Sequence, residues 1–203
     1  MIACLSCREW TGSILCTECR RGLRIAAPRS LEGGLTVNAA YEHERTARRL
    51  IHRLKYEGIE QAAWPFIPGM AAALPAEGVV LVPVPRVWWR RTRYGIDPAA
   101  VLASLLARRT GLRISKALAA PLVVPRHAGR SRSRRHAPRF SIRISGLTGV
   151  VLIDDVCTTG STLEAAESAL EGEVLAAVTA SSSGRGTSLR GAGTASSLHG
   201  TAT

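Results

Sequence analysis

The chain has 203 residues, of which 46% are hydrophobic and 21% charged, a balance that excludes wholesale disorder. At about 100–200 residues per domain, this length allows one domain with an appendage. Its net charge of +12 comes from 25 arginines and only two lysines, Lys55 and Lys116, which favours a polyanionic ligand without choosing between nucleic acid and a phosphorylated metabolite. An arginine-rich genome would produce the same bias. The first feature along the chain is a cysteine-bearing module over residues 1–24, followed by a connector rich in Gly, Pro and Ser. Residues 35–42 predict a short strand. Residues 44–55 predict a helix, with Leu50, Ile51 and Leu54 on one face and arginines mostly on the other.

A second helical stretch, interrupted by Pro65 and Pro68, leads to the apolar run 79–82, closed by Pro83 and Pro85. That run reads as a strand buried on both faces, as in a parallel sheet. Residues 98–109 predict a helix, with Pro98 near its start and Gly111 after its end. The run 149–153 predicts a second buried strand, followed by a loop, a helix over 163–170 and a last strand over 174–180. Strands alternating with helices predict an α/β fold with an open, mainly parallel sheet. The expected organisation is therefore a module at 1–24, a main domain at 35–180 and a disordered tail at 181–203, where Ser, Gly, Thr and Ala dominate.

No apolar run reaches the ~18–20 residues needed to span a bilayer, and the N-terminus lacks the pattern of an export signal. The expectation is a cytoplasmic chain without membrane insertion, its five cysteines kept reduced. Cys4 and Cys7, then Cys16 and Cys19, form two C-x-x-C knuckles separated by a turn at Thr11-Gly12-Ser13. Four thiolates at this spacing suit a closed structural Zn²⁺ site, whose binding can supply the folding free energy that so small a module lacks. The alternatives are a redox pair or disulfides.

Asp154 and Asp155 are two of only three aspartates in the chain, and they follow the apolar run directly. The carboxyl end of a buried strand is where open α/β sheets bind ligands. Thr158, Thr159, Gly160, Ser161 and Thr162 come next, ahead of a helix. Hydroxyls, a glycine and backbone amides there make an anion cradle. Carboxylates repel phosphate but accept hydrogen bonds from sugar hydroxyls or help position Mg²⁺. The combination fits a ribose 5-phosphate, and the lack of Gly-Lys-Ser/Thr excludes a P-loop. Cys157, within this string, reads as a small hydrophobe.

The string VVLIDDVCTTGST resembles the phosphoribosyl-pyrophosphate (PRPP) motif of type I phosphoribosyltransferases. With the two cysteine knuckles, YEHERTARRLIHRLKYEG, LVPVP and RYGIDPAAVLA in this order, residues 1 to about 180 resemble the ComF family of competence-associated proteins. The resemblance implies a type I phosphoribosyltransferase fold in which Asp154 and Asp155 contact the ribose hydroxyls. It further implies that residues 158–162 cradle the 5-phosphate and that Pro83, Val84, Pro85 and Arg86 form the pyrophosphate loop. In that superfamily Mg²⁺ bridges pyrophosphate and ribose while a nucleophile displaces pyrophosphate at the anomeric carbon.

Two arginine-rich segments add a second expectation. Arg86, Arg90, Arg91 and Arg93 interleave with Trp88, Trp89 and Tyr94, and seven arginines fall between Arg126 and Arg143 without an acid. Aromatic stacking beside cations holds single strands without sequence readout. The alternative function is thus a single-stranded DNA-binding accessory of DNA uptake, partnered by other uptake proteins, with a regulatory or vestigial PRPP site. A mobile loop closing over PRPP, or a solvated basic face, would use the same residues.

Overall fold

The computed structural model describes residues 1–76, 79–86, 95–120 and 138–184. At the N-terminus β1 (Ile2–Ala3) pairs antiparallel with β2 (Trp10–Thr11), and α1 (Thr17–Arg21) begins at Cys16, whose sulfur caps the Cys19 amide. The expected connector is more ordered than its composition implies. β3 (Arg29–Ser30) runs antiparallel to β4 (Thr36–Glu42), and Gly34, at φ +91°, closes the turn by donating its amide to the Leu31 carbonyl.

α2 (Arg45–Tyr56) buries Leu50, Ile51 and Leu54 and exposes Arg45, Arg48 and Arg49, as its periodicity predicts. A 3-10 segment (Glu60–Phe66) and α3 (Ile67–Ala72) divide the next stretch, with Pro68 in the first turn of α3, where a missing amide costs nothing. β5 (Val80–Pro83) is buried throughout. α4 (Pro98–Thr110) opens with its proline and closes on Gly111 in the left-handed conformation. Next come β6 (Arg113–Ile114), and β7 (Leu118–Ala119) paired antiparallel with β8 (Ser141–Ile142). β9 (Val150–Cys157), α5 (Ser161–Ala169) and β10 (Val174–Ser182) complete the described chain.

The main sheet has six strands in the order β3-β4-β10-β9-β5-β6, parallel except for the edge strand β3. Apolar clusters cover both faces, as a parallel sheet requires. On one face α2, α3 and α4 pack Leu50, Met70 and Leu102 against Val151 and Ile153 of β9; on the other α5 packs Leu163 and Ala166 near Val150 and Leu152. Cys4, Leu15 and Cys19 lie in the first of these clusters, so the cysteine module shares the main core. Among the described residues no helix is long and apolar enough to cross a membrane.

Strand order makes the site. From β5 the chain crosses through α4 to β6 on one side, and from β9 it crosses through α5 to β10 on the other. The order reverses between β5 and β9, and at such a switch point the loops diverge and leave a crevice beyond the carboxyl ends. Three boundaries differ from the sequence expectation by two residues or more. β9 runs on past 153 and includes both aspartates, because β10 keeps pairing with it out to Ser182↔Cys157. A continuing ladder outweighs the poor strand propensity of Asp. α5 starts at Ser161, two residues before the expected helix. Ser181 and Ser182, assigned by composition to the tail, are buried strand residues, whereas 185–203 lie outside the described residues.

Candidate active site and metal centre

The four cysteine sulfurs all lie within 4.8 Å of one another, and Cys7 and Cys16 are 3.6 Å apart. Zn–S bonds near 2.3 Å give a tetrahedral edge of about 3.8 Å, so the cluster can hold a metal ion such as zinc with sub-ångström to ångström adjustments. The knuckles are shaped for it. Arg8 takes φ +71° to return its amide to the Cys4 carbonyl, and the amides of Cys16 and Cys19 donate to the sulfurs of Cys4 and Cys16, both at 3.4 Å. At Cys4 burial opposes ionisation, but amide donors from Cys16, Cys7 and Ser6 more than offset it and bring the thiol down to about 6. The cysteines are not disulfide-bonded.

The second centre lies at the carboxyl end of β9. Asp155 is buried beneath the rim, and Asp154 is half-buried with its Oδ1 accepting the Asp155 amide at 2.8 Å. Burial, reinforced by the neighbouring Asp155 charge, pushes the Asp154 carboxyl up to about 8, although Lys55 pulls the other way. Asp154 and residues 156–163 line a small concavity of about 20 Å³. Thr158 and Thr159 are exposed, Gly160 adopts φ +91°, and Ser161 and Thr162 open α5. The first internal bond of α5 is Glu164 N–H to Gly160 carbonyl, which leaves the amides of Ser161, Thr162 and Leu163 outside the helical ladder. Thr159 Oγ1 takes one of them, Ser161, at a long 3.4 Å. These donors and the helix dipole suit an anion.

Gly160 is required twice over. Its φ disfavours any side chain, and a Cβ there would run into the Leu31 side chain. Cys157 is buried as a small apolar residue should be, and burial raises its thiol despite the Arg29 guanidinium beside it.

Several residues of this rim carry no motif. Lys55, from the last turn of α2, places Nζ 2.7 Å from Asp155 Oδ1. His43 follows β4, bonds Ser181 Oγ through Nδ1 at 2.8 Å, and is held below its ordinary pKa by burial and by the Lys55 and Arg48 charges. Arg29 reaches the start of the loop from β3. Helix periodicity could have placed Lys55 beside the buried face of α2, but nothing in the sequence links it to Asp155. For Arg29 and His43 the sequence offers no signal.

Residues 83–86 lie across the crevice from the aspartates, yet they are already engaged. Pro83 and Pro85 have no amide, the Val84 amide donates to the Ile153 carbonyl at 2.9 Å, and the Arg86 amide donates to Asp97 Oδ2 at 3.3 Å. The Arg86 guanidinium turns to the Lys55 carbonyl at 3.0 Å and lies 5.6 Å from the Tyr56 ring centroid. Trp88, Trp89, Arg90, Arg91, Arg93 and Tyr94 lie outside the described residues, as do Arg126, Arg130, Arg132, Arg134 and Arg135. A larger open cleft of about 460 Å³ sits at the opposite end of the sheet, between Val80, Arg113 and Thr148, and among the described residues its lining has no carboxylate or thiol. Compared with known proteins, the chain matches no protein-family model and no curated protein.

Proposed function

We propose that this chain is a type I phosphoribosyltransferase-like protein of ComF kind, binding PRPP with Mg²⁺ and transferring its phosphoribosyl group. One observation carries the reading: a carboxylate pair and an anion cradle adjoin each other at the carboxyl end of the central strand, at the switch point of a parallel sheet. In this reading the 5-phosphate rests on the amides and hydroxyls of residues 158–162. Asp154 and Asp155 accept from the ribose hydroxyls, and Pro83, Val84, Pro85 and Arg86 face the pyrophosphate. Mg²⁺ would neutralise pyrophosphate charge, and carboxylate oxygens are the hard donors it prefers. The four-cysteine cluster would hold zinc as a structural ion.

In the transfer step the bond from the anomeric carbon to the pyrophosphate oxygen breaks, and a bond to the acceptor's lone pair forms. Pyrophosphate leaves with the electron pair, and the acceptor gives up a proton. The chain's contribution is position and charge: Asp155, fixed by Lys55, keeps a negative group under a ring that becomes cationic. A screen of bases and amines for PRPP-dependent pyrophosphate release tests the activity. The reading expects release with at least one acceptor, reduced about tenfold or more by Asp155→Asn. Pyrophosphate release that Asp155→Asn leaves intact would contradict these assignments.

A further inference from the structure

Arg29 is buried, and among the described residues no carboxylate pairs with it. Its Nη2 donates to the Thr158 carbonyl at 2.6 Å and approaches Cys157 Sγ at 3.1 Å, its Nη1 reaches the Ser183 carbonyl at 3.5 Å, and its Nε is buried without a partner. A buried cation is costly unless an anion compensates it. Cys157 is a poor compensating anion, because burial raises its thiol and so disfavours the thiolate. The Thr158 carbonyl that Arg29 holds belongs to the peptide unit whose N–H is that of Thr159, within the candidate cradle.

We propose that Arg29 is a positioning residue of this cradle, holding the Thr158 carbonyl on the protein side of the loop so that the Thr159 N–H faces a bound phosphate monoester. The inference rests on the reading of residues 158–162 as an anion site. The geometry follows from the peptide unit. The bond between Thr158 and Thr159 is trans, so its C=O and N–H point in opposite directions, and fixing one aims the other. Donation from a charged group to the carbonyl also polarises the same peptide and strengthens its N–H as a donor. Among the described residues the Thr159 amide has no acceptor of its own.

The rest of the hairpin braces the same loop. Leu31 packs beneath Gly160, and the Gly33 amide donates to Glu164 Oε1 at 3.2 Å, which ties the hairpin to the first turn of α5. The chain after β10 closes over the guanidinium, where a Cβ on Gly184 would come within 2.8 Å of Nη1. The segment that composition marks as a connector therefore supports the floor of the site.

The test is calorimetric titration of the full chain with ribose 5-phosphate and, separately, inorganic phosphate, comparing wild type, Arg29→Lys and Arg29→Met at matched metal content. Arg29→Met should weaken ribose 5-phosphate about tenfold or more, and Arg29→Lys, which keeps the charge but loses the fork, should fall between. In the wild type the Thr159 amide proton resonance should move downfield on addition of ribose 5-phosphate, and by less in Arg29→Lys. A purely structural role would lower stability in the variants yet leave affinity and this resonance as in the wild type, overturning the proposal. Should Arg29→Met not fold, an Arg29→Lys affinity equal to wild type is enough to overturn it. Wild-type binding of phosphate alone, sensitive to Arg29, would uphold the positioning role while the ribose reading fails; binding of neither probe would end both.

Discussion

Lys55 Nζ and Asp155 Oδ1 stand 2.7 Å apart, joining the last turn of α2 to the end of the central strand. Both side chains are largely shielded, at 21% and 11% exposure, so removing one partner strands the other in a poor solvent. Lys55→Met and Asp155→Asn should each destabilise the chain, by about 1–3 kcal/mol, while the double variant loses less than the sum. Denaturant melts of the four proteins measure the coupling. Strict additivity would mean that the pair holds nothing together.

The Asp154 carboxyl gives a pH dependence of definite sign. Its pKa is raised from 3.8 to about 8 in the folded chain, chiefly by burial and then by Asp155, while the unfolded chain keeps the ordinary value. Between those limits the folded state holds a proton that the unfolded state has released. The stability from this group is complete below about pH 4 and lost as pH rises through about 8. Asp154→Asn carries no such cost, so its melting temperature should gain on that of the wild type from pH 5 to 8 and level off above 9. A difference independent of pH would contradict the assignment.

The cysteine module offers a chemical test. Protein purified without chelator should contain one zinc per chain. Because Cys4, Leu15 and Cys19 belong to the same apolar cluster as Leu50 and Phe66, stripping the metal should lower the melting temperature of the whole chain rather than of residues 1–24 alone. Cys16→Ser should do the same. Metal analysis together with calorimetric melting reads both results, and an unchanged main transition would show the module to be independent.

Much of this fold is visible in the sequence because its devices are local. Leu50, Ile51 and Leu54 mark the buried face of α2, Pro98 and Gly111 bracket α4, and the apolar run before Pro83 marks a strand covered on both sides. The candidate site is legible where one stretch of chain builds it, as residues 154–162 do. It is illegible where distant stretches meet. Arg29 acts 129 residues away on the Thr158 carbonyl, and Lys55 meets an aspartate a hundred positions on. Composition also misleads at the end of β10, where Ser181 and Ser182 look like tail but complete a ladder.

That strand end gives a further prediction. The Ser182 carbonyl accepts the His43 amide at 2.8 Å, Ser181 Oγ meets His43 Nδ1, and the Ser183 amide donates to the Cys157 carbonyl at 2.9 Å. A chain cut after Ala180 should therefore be less stable than one cut after Gly184 by more than about 1–2 kcal/mol, the range of a typical damaging substitution. Chemical denaturation of the two truncations decides it. Equal stability would return residues 181–184 to the tail.

The most direct measurement is calorimetric titration of the wild-type chain with PRPP at millimolar Mg²⁺. A saturable one-to-one isotherm is expected, weakened about tenfold or more by Asp155→Asn, since a neutral amide is a poorer acceptor for the ribose hydroxyls. No heat of binding to the folded wild type, or an affinity that Asp155→Asn leaves unchanged, would contradict the assignment of residues 154–162 as a PRPP site.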